Sequence, residues 1–219
     1  MNARNFRHFA SVLLIGTAAI FLLIFVHGLW HERISRNRQE AALQPLLEAF
    51  PHALRTQVRL QQAGELDDED ALGLRVATHF YRAYFQNQNG DHQFIGWVIP
   101  AVARDGYGGD IALAIALNQQ AEVIGVQVLN HRETAGMGDR MERRHSDWLD
   151  TFNRHSLHTP TRGSWYVSKD GGAFDQMTGA TITSRAVTNT VKHTLEYYSA
   201  HRDEWATPTT DENSEAAHE

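Results

Sequence analysis

One uninterrupted apolar run dominates the amino-terminal part of the chain. Residues 9–30 read FASVLLIGTAAIFLLIFVHGLW and contain no Lys, Arg, Asp or Glu. As a helix, a run of this length can cross a hydrocarbon core of about 30 Å. A cleaved secretory leader is the alternative, but its apolar core normally has only about 7 to 15 residues. We therefore predict an uncleaved transmembrane helix over 9–30, preceded by a short segment, 1–8.

Positive charge flanks this run on both sides. Arg4 and Arg7 precede it, and Arg33, Arg36 and Arg38 follow it. The positive-inside rule needs an excess of Lys and Arg on one side. Charge alone therefore leaves open the side of the membrane on which the rest of the chain lies.

The segment 31–75 is rich in Gln, Glu, Leu, Ala and Arg, with apolar residues at helical spacing interrupted by Pro45 and Pro51. We predict short helices that form a stalk or linker. At the other end, residues 203–219 are acidic and polar and include Pro208, which predicts a disordered tail.

Between these segments, 76–202 has the pattern of one α+β domain with an antiparallel sheet flanked by helices. Residues 93–103 predict a strand broken at Pro100, followed by a glycine-rich turn, Gly106-Tyr-Gly-Gly109. Residues 111–117 and 123–129 are apolar, and the five polar residues between them are of hairpin length. We predict an antiparallel β-hairpin here.

Two helices are predicted after the hairpin. Residues 146–152 begin with a capping residue and place Trp148, Leu149 and Phe152 on one face. A longer helix over about 183–200 is indicated by one apolar stripe formed by Val187, Val191, Leu195 and Tyr198. Trp97, Trp148 and Trp165 are expected in the core and not in a binding site.

Composition removes several classes of function. The net charge of -6 and pI near 6.1 argue against a nucleic-acid-binding protein. The absence of cysteine excludes a disulfide, an iron-sulfur cluster held by the chain and a thiolate nucleophile. The thirteen histidines are scattered and form no His-Glu-x-x-His pair, so no metal site is predicted.

The segment that leads into the last helix is the candidate for chemistry. It reads Phe174-Asp-Gln-Met-Thr-Gly-Ala-Thr-Ile-Thr-Ser184 and places hydroxyl groups at a helix amino terminus, where unpaired N–H groups favour a phosphate. Gly179 and Ala180 leave room for a bulky group, and Thr181 offers an accessible hydroxyl. An ordinary cap and turn is the alternative, and spacing alone favours it.

A family resemblance changes that balance. The run Asp175-Gln-Met-Thr178-Gly179-Ala180-Thr181 resembles the flavin-transferase recognition motif: Asp, two variable residues, Ser or Thr, Gly, Ala, Ser or Thr. In that family FMN is joined through its phosphate to the final hydroxyl, which corresponds to Thr181. Asp175 either orients that hydroxyl or caps the turn.

Two further segments resemble the FMN-binding domain family. Residues 131–139, HRETAGMGD, resemble its Glu-Thr-Pro-Gly-Leu-Gly loop, although Ala135 and Met137 replace the usual Pro and Leu. The segment 106–111, GYGGDI, resembles the one ahead of its hairpin and is either a plain turn or a site-lining one. The order of these segments, with the apolar run and the length, is similar to that of G subunits of Rnf (Rsx) ion-translocating electron transport complexes.

That resemblance spans residue 9 to about 200 and implies an electron-relay subunit without its own substrate turnover. It implies FMN covalently bound to Thr181, a separate flavin transferase that loads it, and the other membrane subunits of the complex as partners. It places 1–8 in the cytoplasm and the soluble domain on the periplasmic side of a bacterial inner membrane. The C subunit of a sodium-translocating NADH:quinone reductase and a non-redox membrane-anchored assembly module are the alternatives.

The cofactor-binding residues implied by the resemblance fall in two groups, and no catalytic residue is predicted. The first group is the motif and helix start, and the second is the loop whose backbone and Met137 would cover part of the flavin ring. The members are Asp175, Thr178, Gly179, Ala180, Thr181 and Ser184 in the first group, and Glu133, Thr134, Gly136, Met137 and Gly138 in the second.

Overall fold

A computed structural model describes residue 16, residues 41–87 and residues 90–206. The predicted transmembrane helix, 9–30, lies outside the described residues except for Gly16, as do 1–8, 31–40 and 207–219. Within the described part of the chain, no helix has the length and apolar character needed to cross a membrane. The described residues from Pro45 onward belong to one compact unit.

The described elements of this unit are short helices, five strands and a long final helix. Residues 45–47 are helical. The helices are α1 (His52–Arg55), α2 (Glu69–Leu72) and α3 (Thr181–Ala206), and the strands are β1 (Val58–Leu66), β2 (Thr78–Gln86), β3 (His92–Gly106), β4 (Gly109–Leu117) and β5 (Val123–Asn130). Four 3₁₀ turns span Gly138–Met141, Trp148–Phe152, Arg162–Ser164 and Ser168–Asp170.

The strands form one antiparallel sheet in the order β1-β2-β3-β4-β5. The predicted α+β class and antiparallel sheet are therefore confirmed. The predicted hairpin is also confirmed, because β4 pairs with β5 from Leu117 opposite Val123 to Ala112 opposite Asn130.

The prediction of a helical stalk over 31–75 is wrong for Val58–Leu66, which forms the edge strand β1. This strand pairs with β2 from Val58 opposite Phe85 to Leu66 opposite Thr78. Among the described strands, β2 is its one neighbour, and most of its side chains are partly or fully exposed, so its mixture of polar and apolar residues resembles that of a surface helix. Pairing with β2 decides the conformation over local propensity.

The predicted break at Pro100 is also wrong, because β3 continues through it. Pro100 lies opposite Ala114 of β4, whereas the pairing of β3 with β2 ends at Val98. A proline is tolerated in a strand where no neighbouring strand needs its missing N–H group. Pro100 follows the paired stretch with β2, which explains why the strand is not interrupted.

The final helix covers the sheet with the predicted stripe. Val187, Val191 and Leu195 are fully buried against the core, and Tyr198 is nearly so. The helix is longer than predicted, and the tail assignment is wrong for 203–206 because α3 continues to Ala206. Trp205 is only 8% exposed, and its ring stacks on Phe80 with the centroids 4.3 Å apart. This contact keeps the end of the helix on the sheet.

The short predicted helix forms as a 3₁₀ turn, Trp148–Phe152, with Trp148, Leu149 and Phe152 buried as expected. Trp97 and Trp165 are also buried, so all three tryptophans belong to the core.

At the far edge of the sheet, a Cβ added to Gly125 would lie 2.0 Å from the carbonyl oxygen of Ala49. Glycine therefore allows the chain near residue 49 to pack directly on β5.

Candidate functional site

A cavity of about 580 Å³ opens where three segments meet: the turn between β3 and β4, the loop after β5 and the beginning of α3. These are the three segments that the family resemblance singled out. The lining residues are Tyr107, Glu133, Thr134, Met137, Gly138, Gly179, Ala180, Thr181, Ile182 and Thr183.

The hydroxyl groups of the motif differ in what they already bind. Thr183 is 1% exposed and donates to Glu133 Oε2 at 2.5 Å. Ser184 is fully buried, donates to the Ala180 carbonyl at 2.9 Å and accepts from Met177 N at 3.0 Å. Thr178 is exposed and outside the cavity lining.

Thr181 combines two properties that are not found together in the other three hydroxyl residues. It is the first residue of α3 and lines the cavity. Within the described residues, no hydrogen bond engages its hydroxyl group. Of the four hydroxyl residues, Thr181 is thus the one that is both at the cavity and available for a new bond.

The start of α3 provides a favourable place for an anion. The first carbonyl-to-amide bond of the helix joins Ser184 N to Ala180 O at 2.9 Å, so the amides of Thr181, Ile182 and Thr183 precede it. Such amides lack partners within the helix, and the helix dipole adds a partial positive charge. Gly179 immediately ahead has φ +83°, which a glycine adopts without strain.

The rest of the motif is held by neighbouring segments. The Asp175 carbonyl accepts from Trp148 Nε1 at 2.6 Å, and Gln176 Oε1 accepts from Ser168 Oγ at 2.7 Å. Asp175 is exposed and outside the cavity lining, and among the described residues no hydrogen bond of its carboxylate supports the predicted capping role.

Glu133 is the charged residue of the cavity wall. It is 9% exposed, and its Oε1 accepts from Gly108 N at 2.8 Å while Oε2 accepts from Thr183. The loop that follows turns on the Thr134 carbonyl, which accepts from the amides of Met137 and Gly138, both at 3.1 Å. This turn points the Met137 side chain towards solvent at the mouth of the cavity.

Behind the loop lies an ionic network that involves His131. The ring Nδ1 accepts from Glu133 N at 3.0 Å, which places the ring proton on Nε2, 2.6 Å from Glu142 Oε1. Burial raises the pKa of Glu142, but hydrogen bonds from His131 and Arg144 outweigh it and leave the pKa below its ordinary value. Glu142 is therefore the ionised acceptor of this bond, and it holds the His131 ring in place.

The mouth of the cavity is unusually apolar. Tyr107, Met137 and Ile182 are 69%, 52% and 46% exposed and all line it. Among the described residues, the exposed large apolar side chains are those of Val76, Tyr107, Met137, Tyr166 and Ile182. Most of the exposed apolar groups thus lie at one site, as expected where a ligand or partner covers them.

The structure brings together seven of the eleven predicted site residues. Those in the lining are Glu133, Thr134, Met137, Gly138, Gly179, Ala180 and Thr181, whereas Asp175, Thr178, Gly136 and Ser184 are not. The sequence prediction did not include Ile182 and Thr183, and it left the turn that contains Tyr107 undecided. An apolar Ile between two Thr residues at a helix start is the signal that could have indicated Ile182.

Comparison with known proteins adds the family. Residues 106–196 match the family model described as the FMN-binding domain. The chain is 37% identical over 193 residues to the G subunit of the ion-translocating oxidoreductase complex of Shewanella piezotolerans, covering 87% of this chain and 89% of the relative. The same-named proteins of Aliivibrio fischeri and Vibrio cholerae are 36% and 38% identical, covering 89% and 83% of this chain and 90% and 84% of theirs.

The chain belongs to the family of G subunits of ion-translocating oxidoreductase complexes. The resemblance inferred from the three motif segments is therefore confirmed. The FMN-binding domain match includes all three walls of the cavity, because Tyr107, Glu133 and Thr181 fall within it. These relatives carry the name of the G subunit, and not that of the C subunit of a quinone reductase.

Proposed function

We propose that the chain is the electron-carrying subunit of a membrane-bound ion-translocating oxidoreductase complex and holds FMN in a phosphoester bond to Thr181. The observation that carries this proposal is the Thr181 hydroxyl, which lies at a cavity and at a helix start and is engaged by no hydrogen bond in the described part of the chain.

The residues present fit FMN in size and chemistry. A volume of about 580 Å³ lies within the range of cofactor pockets, about 300 to 1,000 Å³. The amides of the first turn of α3 suit a phosphate, and the apolar side chains at the mouth suit a flat aromatic ring. The attachment point and the apolar groups are on the same cavity.

When bound, FMN supplies reversible transfer of one or two electrons. The chain would supply position: Thr181 Oγ1 would be the tether, the first-turn amides would stabilise the phosphate charge, and Tyr107, Met137 and Ile182 would shield the ring from water.

Formation of the tether requires a second protein. The Oγ1–H bond of Thr181 is replaced by an Oγ1–P bond, the proton is released, and a leaving group departs from the phosphorus of the flavin donor. No side chain of the described residues hydrogen-bonds to Thr181 Oγ1 as a general base would, and Glu133 is already bonded to Thr183. In this proposal, a separate flavin transferase provides the base and the activated donor.

The proposal includes the surroundings of the domain. The apolar run 9–30 anchors the chain once in a bacterial inner membrane, 1–8 lies in the cytoplasm, and the FMN-binding domain lies on the periplasmic side. The partners are the other membrane subunits of the complex, which is supported by the complex-subunit names of the relatives.

Co-expression of the full chain with a flavin transferase tests the attachment. We expect the wild type to carry the mass of one FMN adduct and to fluoresce under UV after denaturing electrophoresis. Thr181→Ala should carry none, whereas Thr181→Ser, which keeps a hydroxyl, should still be loaded. A colourless wild type would support the assembly-module alternative, and an adduct on Thr181→Ala would place the flavin elsewhere.

A further inference from the structure

We propose that Glu133 is a positioning residue that fastens the three walls of the cavity together and fixes the helix start that presents Thr181 for loading. The family resemblance implied that Glu133 contacts the flavin, and this proposal gives it a different role. It rests on the proposed function, because its effect on loading presupposes that Thr181 accepts FMN.

The first observation is the pair of hydrogen bonds made by the carboxylate. Oε1 accepts from Gly108 N in the β3–β4 turn, 25 residues earlier in the chain, at 2.8 Å. Oε2 accepts from Thr183 Oγ1 in the first turn of α3, 50 residues later, at 2.5 Å. One side chain thus connects all three segments of the cavity, and both of its oxygens are occupied by the protein itself.

The second observation is that glycines make room for this carboxylate. A Cβ added to Gly138 would lie 2.5 Å from Glu133 Oε2, and one added to Gly106 would lie 2.9 Å from Oε1. A Cβ on Gly108 would lie 2.1 Å from the carbonyl oxygen of Arg132 and 3.0 Å from Glu133 N. Contacts below 3.0 Å between such atoms require something to move. These glycines of the two motif segments therefore surround Glu133.

The third observation concerns the Glu133 backbone, which is fixed as firmly as its side chain. Its N–H group donates to His131 Nδ1 at 3.0 Å, and His131 is held by Glu142 on its other nitrogen at 2.6 Å. Glu142 in turn pairs with Arg144 Nε at 2.6 Å. The carboxylate is therefore placed from a rigid support, as a residue that positions others needs to be.

The consequence for loading follows from the helix. Thr183 lies two residues after Thr181 in the same turn of α3. The bond from Thr183 to Glu133 therefore also fixes the backbone that carries Thr181. Without Glu133, the first turn loses its only side-chain hydrogen bond to the loop after β5 among the described residues. Small displacements of a reacting group lower rates strongly, which predicts slower attachment of FMN.

The experiment uses the detergent-solubilised full chain and four variants. Glu133→Gln removes the charge and one acceptor oxygen, Thr183→Val removes the donor at nearly constant shape, and Thr183→Ser keeps the donor. Thr188→Val is the matched control, since Thr188 is a buried threonine of α3 whose hydroxyl donates to the Ser184 carbonyl within the same helix at 2.8 Å. The rate of FMN loading by the transferase is measured by intact mass.

We expect Glu133→Gln and Thr183→Val to load about tenfold more slowly, the change that corresponds to one charge-assisted hydrogen bond. Thr183→Ser and Thr188→Val should load at the wild-type rate. The double variant Glu133→Gln/Thr183→Val should load no more than about twofold more slowly than either single variant, since both substitutions weaken the contact between residues 133 and 183. Loading of Glu133→Gln and Thr183→Val at the wild-type rate would overturn the proposal.

A direct flavin contact for Glu133 predicts a different pattern. It would shift the visible spectrum of loaded Glu133→Gln but not that of loaded Thr183→Val, and the two substitutions would act additively. That outcome would also overturn the positioning role. If Glu133→Gln does not fold, the comparison of Thr183→Val with Thr183→Ser decides the question.

A hydrogen-exchange measurement on the flavin-free protein tests this inference independently of the proposed function. In the unloaded chain, the Gly108 amide should exchange its hydrogen at least about tenfold faster in Glu133→Gln than in the wild type, because its acceptor is weakened. Unchanged exchange would contradict the role of Glu133 even in a protein that loads normally. A wild type that takes no flavin but shows this change would refute the attachment to Thr181 and retain the three-way connection.

Discussion

Replacement of Gly138 by alanine crowds Glu133 without touching its polar atoms. The added Cβ would lie 2.5 Å from Glu133 Oε2, 2.8 Å from Glu133 Cβ and 3.0 Å from Thr183 Oγ1. A rotation of the carboxylate would relieve only the first contact, because the Glu133 Cβ is fixed by the backbone. The loop must therefore shift, or the bond between Glu133 and Thr183 must lengthen.

The expected cost can be worked out from these two routes. Overpacking of a tight site costs about 1 to 3 kcal/mol, and loss of a hydrogen bond to a charged group costs about 1.5 to 3 kcal/mol. A shift of the loop and a longer bond between Glu133 and Thr183 each relieve the crowding, so their costs do not add. We expect Gly138→Ala to lower the free energy of unfolding by about 2 kcal/mol. For a domain of this size, that lowers the melting temperature by about 4 to 8 °C. FMN loading should also slow by about tenfold, since the bond to Thr183 is disturbed.

Gly136→Ala is the matched control in the same loop. Gly136 has φ +76° and no atom within 4 Å of an added Cβ, so alanine there meets only the left-handed backbone cost of about 1 to 2 kcal/mol. Thermal unfolding and loading rate are measured for both variants. Both should lose stability, but only Gly138→Ala should load slowly. Equal loading of Gly138→Ala, Gly136→Ala and the wild type would refute the packing argument around Glu133.

Two further predictions concern stability alone. Trp205→Ala should lower the free energy of unfolding by about 3 to 5 kcal/mol, because this nearly buried ring stacks on Phe80, and thermal denaturation would show no change if the end of α3 were a tail. The pKa of Glu142 is lowered in the folded protein. The stabilisation that the ionised Glu142 gives to the folded state is therefore complete above the ordinary pKa of 4.5 and is lost as the pH falls through the lowered pKa. The difference in unfolding free energy between the wild type and Glu142→Gln should therefore be constant above about pH 4.5 and shrink below it, and a constant difference at all pH values would contradict this.

The sequence predicts best those elements whose pattern repeats. The stripe from Val187 to Tyr198 and the two apolar runs of the β4–β5 hairpin each repeat their period several times, and each is found. β1 is not apparent from the sequence, because seven of its nine positions are partly or fully exposed and its apolar and polar residues do not alternate regularly. Trp205 lies in a polar segment, and its burial depends on contacts with Phe80 and Trp97, which are far away in the sequence.

The candidate site divides in the same way. The motif around Thr181 is local, and its resemblance to a known family indicated the residue without a structure. The role of Glu133 depends on contacts that lie 25 and 50 residues away, which no local pattern contains. The sequence pattern indicates only turns for the glycines of the two loops, although Gly108 and Gly138 are required by the close approach of Arg132 and Glu133, and Gly106 by that of the Gly109 carbonyl.

The beginning of α3 places the proposed attachment point, Thr181, and the anchoring residue, Thr183, in one turn. Its buried hydroxyl residues Ser184, Thr188, Thr190 and Thr194 each donate to the carbonyl four residues earlier, at 2.8 to 2.9 Å. Thr183 differs, since the residue four positions earlier is Gly179, whose φ of +83° is not helical. Its hydroxyl is therefore free to bond to Glu133, for the same reason that the amides beside it are free to bind an anion. A helix end positioned in this way supplies both the bond that fixes the turn and the open hydroxyl of Thr181.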